Sequence, residues 1–156
     1  MEDEKLQESK KWLHYLSTGA KGINELEALT LIGLQVLNAH KGFFHCNFIV
    51  PDHLSDQDGN WHVGAIATMI DDVGAAAVYS TVGLAKTVDI TLSYYSRVKI
   101  REEVELVADI VGDMGKLICV VVKVTRKENG EMVALGKQWM ASFSPKTKLS
   151  QVSSRL

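Results

Sequence analysis

Apolar positions along this 156-residue chain repeat with two periods, and the change from one to the other divides it. Between residues 2 and 17, Leu6, Trp12, Leu13 and Leu16 stand among charged neighbours, a pattern that predicts a short amphipathic helix ended by Gly19 and Gly22. Asn24 is placed to cap a second short helix through Glu25, Leu26, Glu27 and Ala28. Leu34, Val36 and Leu37 read as extended chain leading to a turn at Ala39-His40-Lys41-Gly42. From Phe43 to Val50 the period becomes two, with Phe44, Cys46 and Phe48 against His45, Asn47 and Ile49, until Pro51 stops the strand.

A polar turn, Asp56-Gln57-Asp58-Gly59-Asn60, then opens the segment on which the rest of the chain is organised, Asn60 to Gly83. After His62 this segment contains neither proline nor a basic side chain. Ile66, Ile70, Val73 and Ala77 recur on one helical face, and Ala67, Asp71, Gly74, Ala75 and Val78 on the next. Asp71 therefore stands in a row of small side chains. A charge there is costly to bury unless something pairs with it or uses it, and its small neighbours let another molecule come close. Asp72 lies about 100° further round, in line with Thr68, Ala76 and Tyr79, and reads as structural or interfacial.

Three alternating stretches follow. In Thr87 to Tyr95, Val88, Ile90, Leu92 and Tyr94 share one face and Thr87, Asp89, Thr91 and Ser93 the other. Glu103 to Val111 alternates through Val104, Leu106, Ala108 and Ile110. Lys116 to Lys127 is rich in β-branched residues and ends at Glu128-Asn129-Gly130, a hairpin signal, from which Glu131 to Phe143 returns. Strands on both sides of a single long helix predict an α+β fold, with an antiparallel sheet wrapped around that helix. The expected organisation is a helical extension over 1–30, one domain over 31–145 and a flexible polar tail over 146–156.

Composition narrows the function classes. Apolar residues make up 46% and the net charge is −2, so nothing favours nucleic acid or an anionic membrane as partner. No uninterrupted apolar run is long enough to predict a transmembrane helix, and MEDEKLQESKK is too polar for a signal or transit peptide. Cys46 and Cys119 lie far apart in apolar strands and read as reduced core thiols, and no metal-ligand spacing joins them to the histidines.

The order of elements resembles the hotdog fold, and His62-Val63-Gly64 with Asp71 resembles the signature of the acyl-CoA thioesterases, of the type of thioesterase superfamily member 2 and 4-hydroxybenzoyl-CoA thioesterase. In that family His-Gly-Gly opens the central helix and a catalytic aspartate follows on it. The resemblance spans residues 33 to 143. It implies an acyl-CoA thioesterase that releases CoA and a free acid, with CoA as part of the substrate and no separate cofactor. Asp71 is then the general base or, less readily, a nucleophile, and the Val63 or Gly64 N–H is the oxyanion donor at a helix N-terminus. It also implies a homo-oligomer, a dimer or a tetramer of two dimers, in which the aspartate faces the substrate bound by the other subunit. Tyr94 and the loop Gly112-Asp113-Met114-Gly115-Lys116 match the region that contacts the CoA nucleotide, with Gly115 and Lys116 as its candidates.

Three positions depart from the family pattern. Val63 replaces the first glycine, keeping the N–H but narrowing the approach. Asp56 stands where the family has asparagine, which removes an amide donor and predicts a raised pKa for one of the neighbouring carboxylates. Thr87 replaces a serine and keeps the hydroxyl. His62 has two readings, a bond to the substrate carbonyl or a structural cap. Val63 and Asp56 keep a second function open, a non-catalytic acyl-CoA binding protein, and a hydroxyacyl thioester dehydratase is a third. The C-terminal Ser154-Arg155-Leu156 resembles the peroxisomal Ser-Lys-Leu address, with a cytoplasmic location as the alternative.

Overall fold

A computed structural model describes residues 2–19 and 25–143. Gly22, Asn24 and everything beyond 143, including the tail signal, lie outside the described residues. Within them the chain forms α1 (Glu2–Ser17), α2 (Glu25–Leu31), β1 (Gln35–His40), β2 (Phe43–Ile49), a 3-10 turn (Asp52–Leu54), α3 (Val63–Val82), β3 (Ala85–Tyr94), β4 (Glu103–Asp113), β5 (Leu117–Arg126) and β6 (Met132–Ser142). The six strands make one antiparallel sheet in the order β1-β2-β4-β5-β6-β3, with α3 against its inner face. This is the hotdog arrangement.

The predicted face of α3 is the one it buries, through Ile66, Ile70, Val73 and Ala77. They meet Phe44, Cys46 and Phe48 of β2 and the valines of β4 and β5 in one core, which Leu13 and Leu16 of α1 and Leu31 of α2 also join. By length and composition α3 could cross a membrane, but more than half of it is buried inside this fold. Gly83, at φ +80°, ends the helix in a conformation open to glycine, its N–H reaching the carbonyl of Tyr79. Both cysteines are free and buried, and burial pushes the Cys46 thiol up to about 12.

Of the described glycines, the one with least room is Gly136 of β6, where an added Cβ would lie 2.3 Å from Cγ2 of Ile70. Ile70 is β-branched and fully buried, so it has no free rotamer into which to retreat. Gly136→Ala should therefore destabilise the protein by about 1–3 kcal/mol, the usual cost of overpacking, read as a lower denaturation midpoint at unchanged m.

Two turns differ from expectation. His40 pairs with Phe43, so Ala39 and His40 belong to β1 and the turn is Lys41-Gly42 alone, with Gly42 at φ +80°. At the other hairpin, Arg126 donates its N–H to the Glu131 carbonyl. Residues 127–130 thus form a four-residue loop, closed by the Glu131 N–H on Oδ1 of Asn129 at 2.9 Å.

The larger difference is in β3. This strand is an edge, paired on one side only, and its ladder with β6 shifts register between Thr87 and Asp89: Thr87 opposes Met140 while Asp89 opposes Trp139. A bulge adds one residue to one strand and offsets its alternation from that point. Thr87 was expected on the face opposite to Ile90 and Leu92. The bulge at Val88 instead puts all three on the helix side, opposite Met140, Gln138 and Gly136.

Candidate active site

The bulge brings the Thr87 hydroxyl to Asp71, donating to its Oδ1 at 2.9 Å. Gln138 of β6 completes the cluster: its side-chain amide donates to the same Oδ1 and, at 2.8 Å, to Thr87 Oγ1. The amide orientation is forced, because a flipped Gln138 would turn its carbonyl oxygen on the carboxylate. Gln138 is fully buried, and its own carbonyl oxygen has no hydrogen-bond partner among the described residues. That oxygen lies against Gly74, where a Cβ would sit 2.6 Å away. The small residue one turn after Asp71 thus makes room for the side chain that holds it. Both hydrogen bonds fall on Oδ1, and none from the described residues falls on Oδ2.

Asp72, the next residue, is 6% exposed, lies about 100° round the helix from Asp71 and is close enough to Glu27 of α2 to feel its charge. Its Oδ2 has no partner among the described residues. Burial above all, then the charges of Asp71 and Glu27, push its carboxyl up to about 8.

The other expected residues gather at the start of α3. His62 is the N-cap, with Nδ1 accepting the Gly64 N–H at 2.9 Å. The accepting nitrogen carries no proton, so the imidazole presents Nε2–H outward. The Gly64 N–H, one of the two expected oxyanion donors, is thereby occupied. The Val63 N–H has no acceptor among the described residues. Tyr94 donates its hydroxyl to the Val63 carbonyl at 3.0 Å, and burial pushes its phenol up.

Asp56 behaves contrary to expectation. Its Oδ1 accepts the N–H groups of Asn60 at 2.9 Å and Asp58 at 2.8 Å, and these bonds, Asn60's first, hold its carboxyl below the ordinary range. It is a half-buried loop brace, and the charges that act on it are those of Arg97 and His62, not a second carboxylate. Asp56, Asn60, Trp61, His62, Val63 and Tyr94 are among the residues lining a cavity of about 790 Å³ at this end of the sheet, within the size range of ligand sites.

One chain does not bring the whole set together. Asp71 follows His62 by nine residues, about 13 Å along the helix axis, and does not line the cavity. Gly115 and Lys116 lie in the β4–β5 turn, where Ser142 reaches the Lys116 carbonyl, at the sheet end opposite Tyr94.

Reading the sequence missed Gln138, although the signal was there. Ala134, Gly136, Gln138 and Met140 form the inward set of β6, and Gln138 is its one polar member. A polar residue in a buried set calls for a partner.

Comparison with known proteins agrees with the fold. The family model of the thioesterase superfamily matches residues 58–133. Acyl-coenzyme A thioesterase 13 of Mus musculus is 30% identical over 94 residues, covering 59% of this chain and 67% of the relative. Among solved structures, zebrafish thioesterase superfamily member 2 matches with a TM-score of 0.77 and 23% identity, over 86% of this chain and 97% of that one. A Streptococcus mutans protein bound to acetyl CoA matches with a TM-score of 0.69 and 22% identity, over 72% and 90%. With a matching family model, a relative of this identity and coverage, and the sheet and helix in this order, the chain belongs to the hotdog-fold thioesterase superfamily.

Proposed function

We propose that the protein is an acyl-CoA thioesterase whose sites each form between two copies of the chain. The observation that carries this is the Asp71 carboxylate, held by Thr87 and Gln138 through one oxygen with the other left open. A water beside Oδ2 gives up a proton to it and attacks the thioester carbonyl carbon. The oxyanion that develops accepts the Val63 N–H at the positive end of α3, where preorganised donors act most strongly. His62 steadies the carbonyl from Nε2–H. The carbon–sulfur bond then breaks, and the proton held by Asp71 passes to the leaving CoA thiolate, leaving a free acid. The His62 cavity receives the pantetheine side of the ester.

The 13 Å between His62 and Asp71 requires a second chain, and β3 offers the surface for it. This ten-residue edge carries unpaired backbone groups and the exposed side chains Val88, Ile90 and Tyr94, a combination that invites pairing with another strand. Pairing of β3 with β3 of a second copy would make an isologous dimer, and two such dimers can build a tetramer.

Thiol release from a panel of acyl-CoAs tests the activity. Sharing of the site has its own test. Mixed and re-annealed, the inactive variants His62→Ala and Asp71→Asn should recover about a quarter of wild-type activity, because half of randomly formed dimers then carry one intact site. Sites confined to single chains would recover none. The occupied Gly64 N–H favours a second reading, a binder of CoA esters without turnover; binding with no thiol released by wild type would establish it.

A further inference from the structure

A second, smaller cavity begins where the Asp71 cluster ends. It has a volume of about 270 Å³ and is lined by Trp12, Ala75, Tyr79, Leu84, Ala85 and Met140. Each element that builds the cluster supplies its next residue to this wall. Ala75 is one helical turn beyond Asp71, Ala85 is two residues from Thr87 on β3, and Met140 is two from Gln138 on β6. Those steps are each about 5–7 Å, so the cavity opens roughly one step from the carboxylate, on the side away from the His62 cavity.

Its lining side chains are apolar or aromatic, with the Tyr79 hydroxyl and the Trp12 indole N–H as their polar groups, and the Tyr79 hydroxyl donates to Glu8 Oε2 at 3.1 Å. It is smaller than the roughly 300 Å³ at which sites for a whole drug-sized ligand begin, so it suits one apolar arm of a ligand. We propose that it holds the far end of the acyl group, a straight chain of short to medium length, and that Trp12 closes it and sets the length accepted. This rests on the thioesterase reading for the identity of the ligand, though not for the existence of the site.

Helix α1 is built to hold that wall. Ser9 is fully buried and donates its hydroxyl to the Ala76 carbonyl at 2.6 Å, and Leu13 and Leu16 are fully buried in the core. Four residues on from Glu8, which fixes Tyr79, Trp12 is delivered to the cavity on the same helical face. Both aromatic walls are thus set by one helix seated on the back of α3.

Two measurements test the proposal. The first uses S-alkyl-CoA thioethers with a terminal bromine, which cannot be hydrolysed, and follows quenching of tryptophan fluorescence. Quenching should be strong with wild type and largely absent with Trp12→Phe, which keeps Trp61 and Trp139. The second compares kcat/KM for hexanoyl-, dodecanoyl- and hexadecanoyl-CoA. Trp12→Ala should raise the dodecanoyl to hexanoyl ratio about tenfold, and Ala75→Leu, which fills the cavity without deleting a core contact, should lower it by a similar factor. If quenching ignores Trp12 and Ala75→Leu leaves the ratio unchanged while wild type still hydrolyses, the cavity assignment is overturned and the activity stands. If no ester is hydrolysed but quenching depends on Trp12, the cavity stands and the activity reading falls.

Discussion

Asp71→Asn protein should fold as wild type does and hydrolyse acyl-CoAs about 10²–10⁴ times more slowly, the range that a positioned general base supplies. Asparagine keeps the shape of the side chain and can still accept from Thr87 through its amide oxygen. It cannot take a proton from water. The loss should therefore fall on kcat, with KM little changed, since the residue acts on the reacting water and not on the bulk of the substrate. Thiol release at saturating substrate measures it. Wild-type kcat in the variant would remove Asp71 from the chemistry and return the cluster with Thr87 and Gln138 to a structural role. Gln138→Leu makes a graded companion: losing the amide frees the carboxylate to rotate, and kcat should fall by less than in Asp71→Asn.

The largest effect on stability is expected from the neighbouring residue. The Asp72 carboxyl is raised to about 8 in the folded chain, chiefly by burial, against an ordinary value near 4 when unfolded. Between those values the folded state holds a proton that the unfolded state has released, so stability falls as pH rises through this window. The penalty is absent below about pH 4, grows by about 1.4 kcal/mol per pH unit, and reaches on the order of 5 kcal/mol near pH 8, above which it levels off. Asp72→Asn removes the titration and keeps the polar shape. The variant should match wild type near pH 4.5 and be several kcal/mol more stable at pH 8, as urea denaturation at the two pH values would show. Equal slopes for the two proteins would mean that Asp72 is charged and paired in solution. The site beside it should be sensitive too, since a charge on Asp72 adds a second carboxylate one residue from Asp71.

The central helix and the strands of the sheet were legible because burial imposes a period, and a period survives in a single sequence. Ile66, Ile70, Val73 and Ala77 announced the buried face of α3, and Phe44, Cys46 and Phe48 that of β2. Asp71 was legible as a charge among small residues, and His62 as the residue opening the helix. What failed to show was anything set by a break in period or by the local backbone. Strict alternation put Thr87 on the wrong face because the register shift at Val88 has no signature in residue type. Asp56 was read by its distance in sequence from other acids, whereas two loop N–H groups decide its charge. A capping role was one of the two readings of His62, but that the ring takes the Gly64 N–H, and so removes one of the two expected donors, depends on its rotamer.

The bulge in β3 also changes what kind of mutation the site can suffer. With Val88 in the chain, Thr87 meets Asp71 because β3 spends one more residue than β6 over the same length and Val88 is left out of the ladder. Deleting Val88, an exposed side chain that contributes nothing itself to the cluster, would leave Thr87 opposite Met140 and Asp89 opposite Trp139 in an unbroken ladder, with the Thr87 hydroxyl still on the inner face. Val88→Ala or Val88→Thr would leave the hydroxyl in place. At this position the chain supplies one residue more than its ladder needs, so the loss of that residue, like its substitution, spares the pair that Thr87 makes with Asp71.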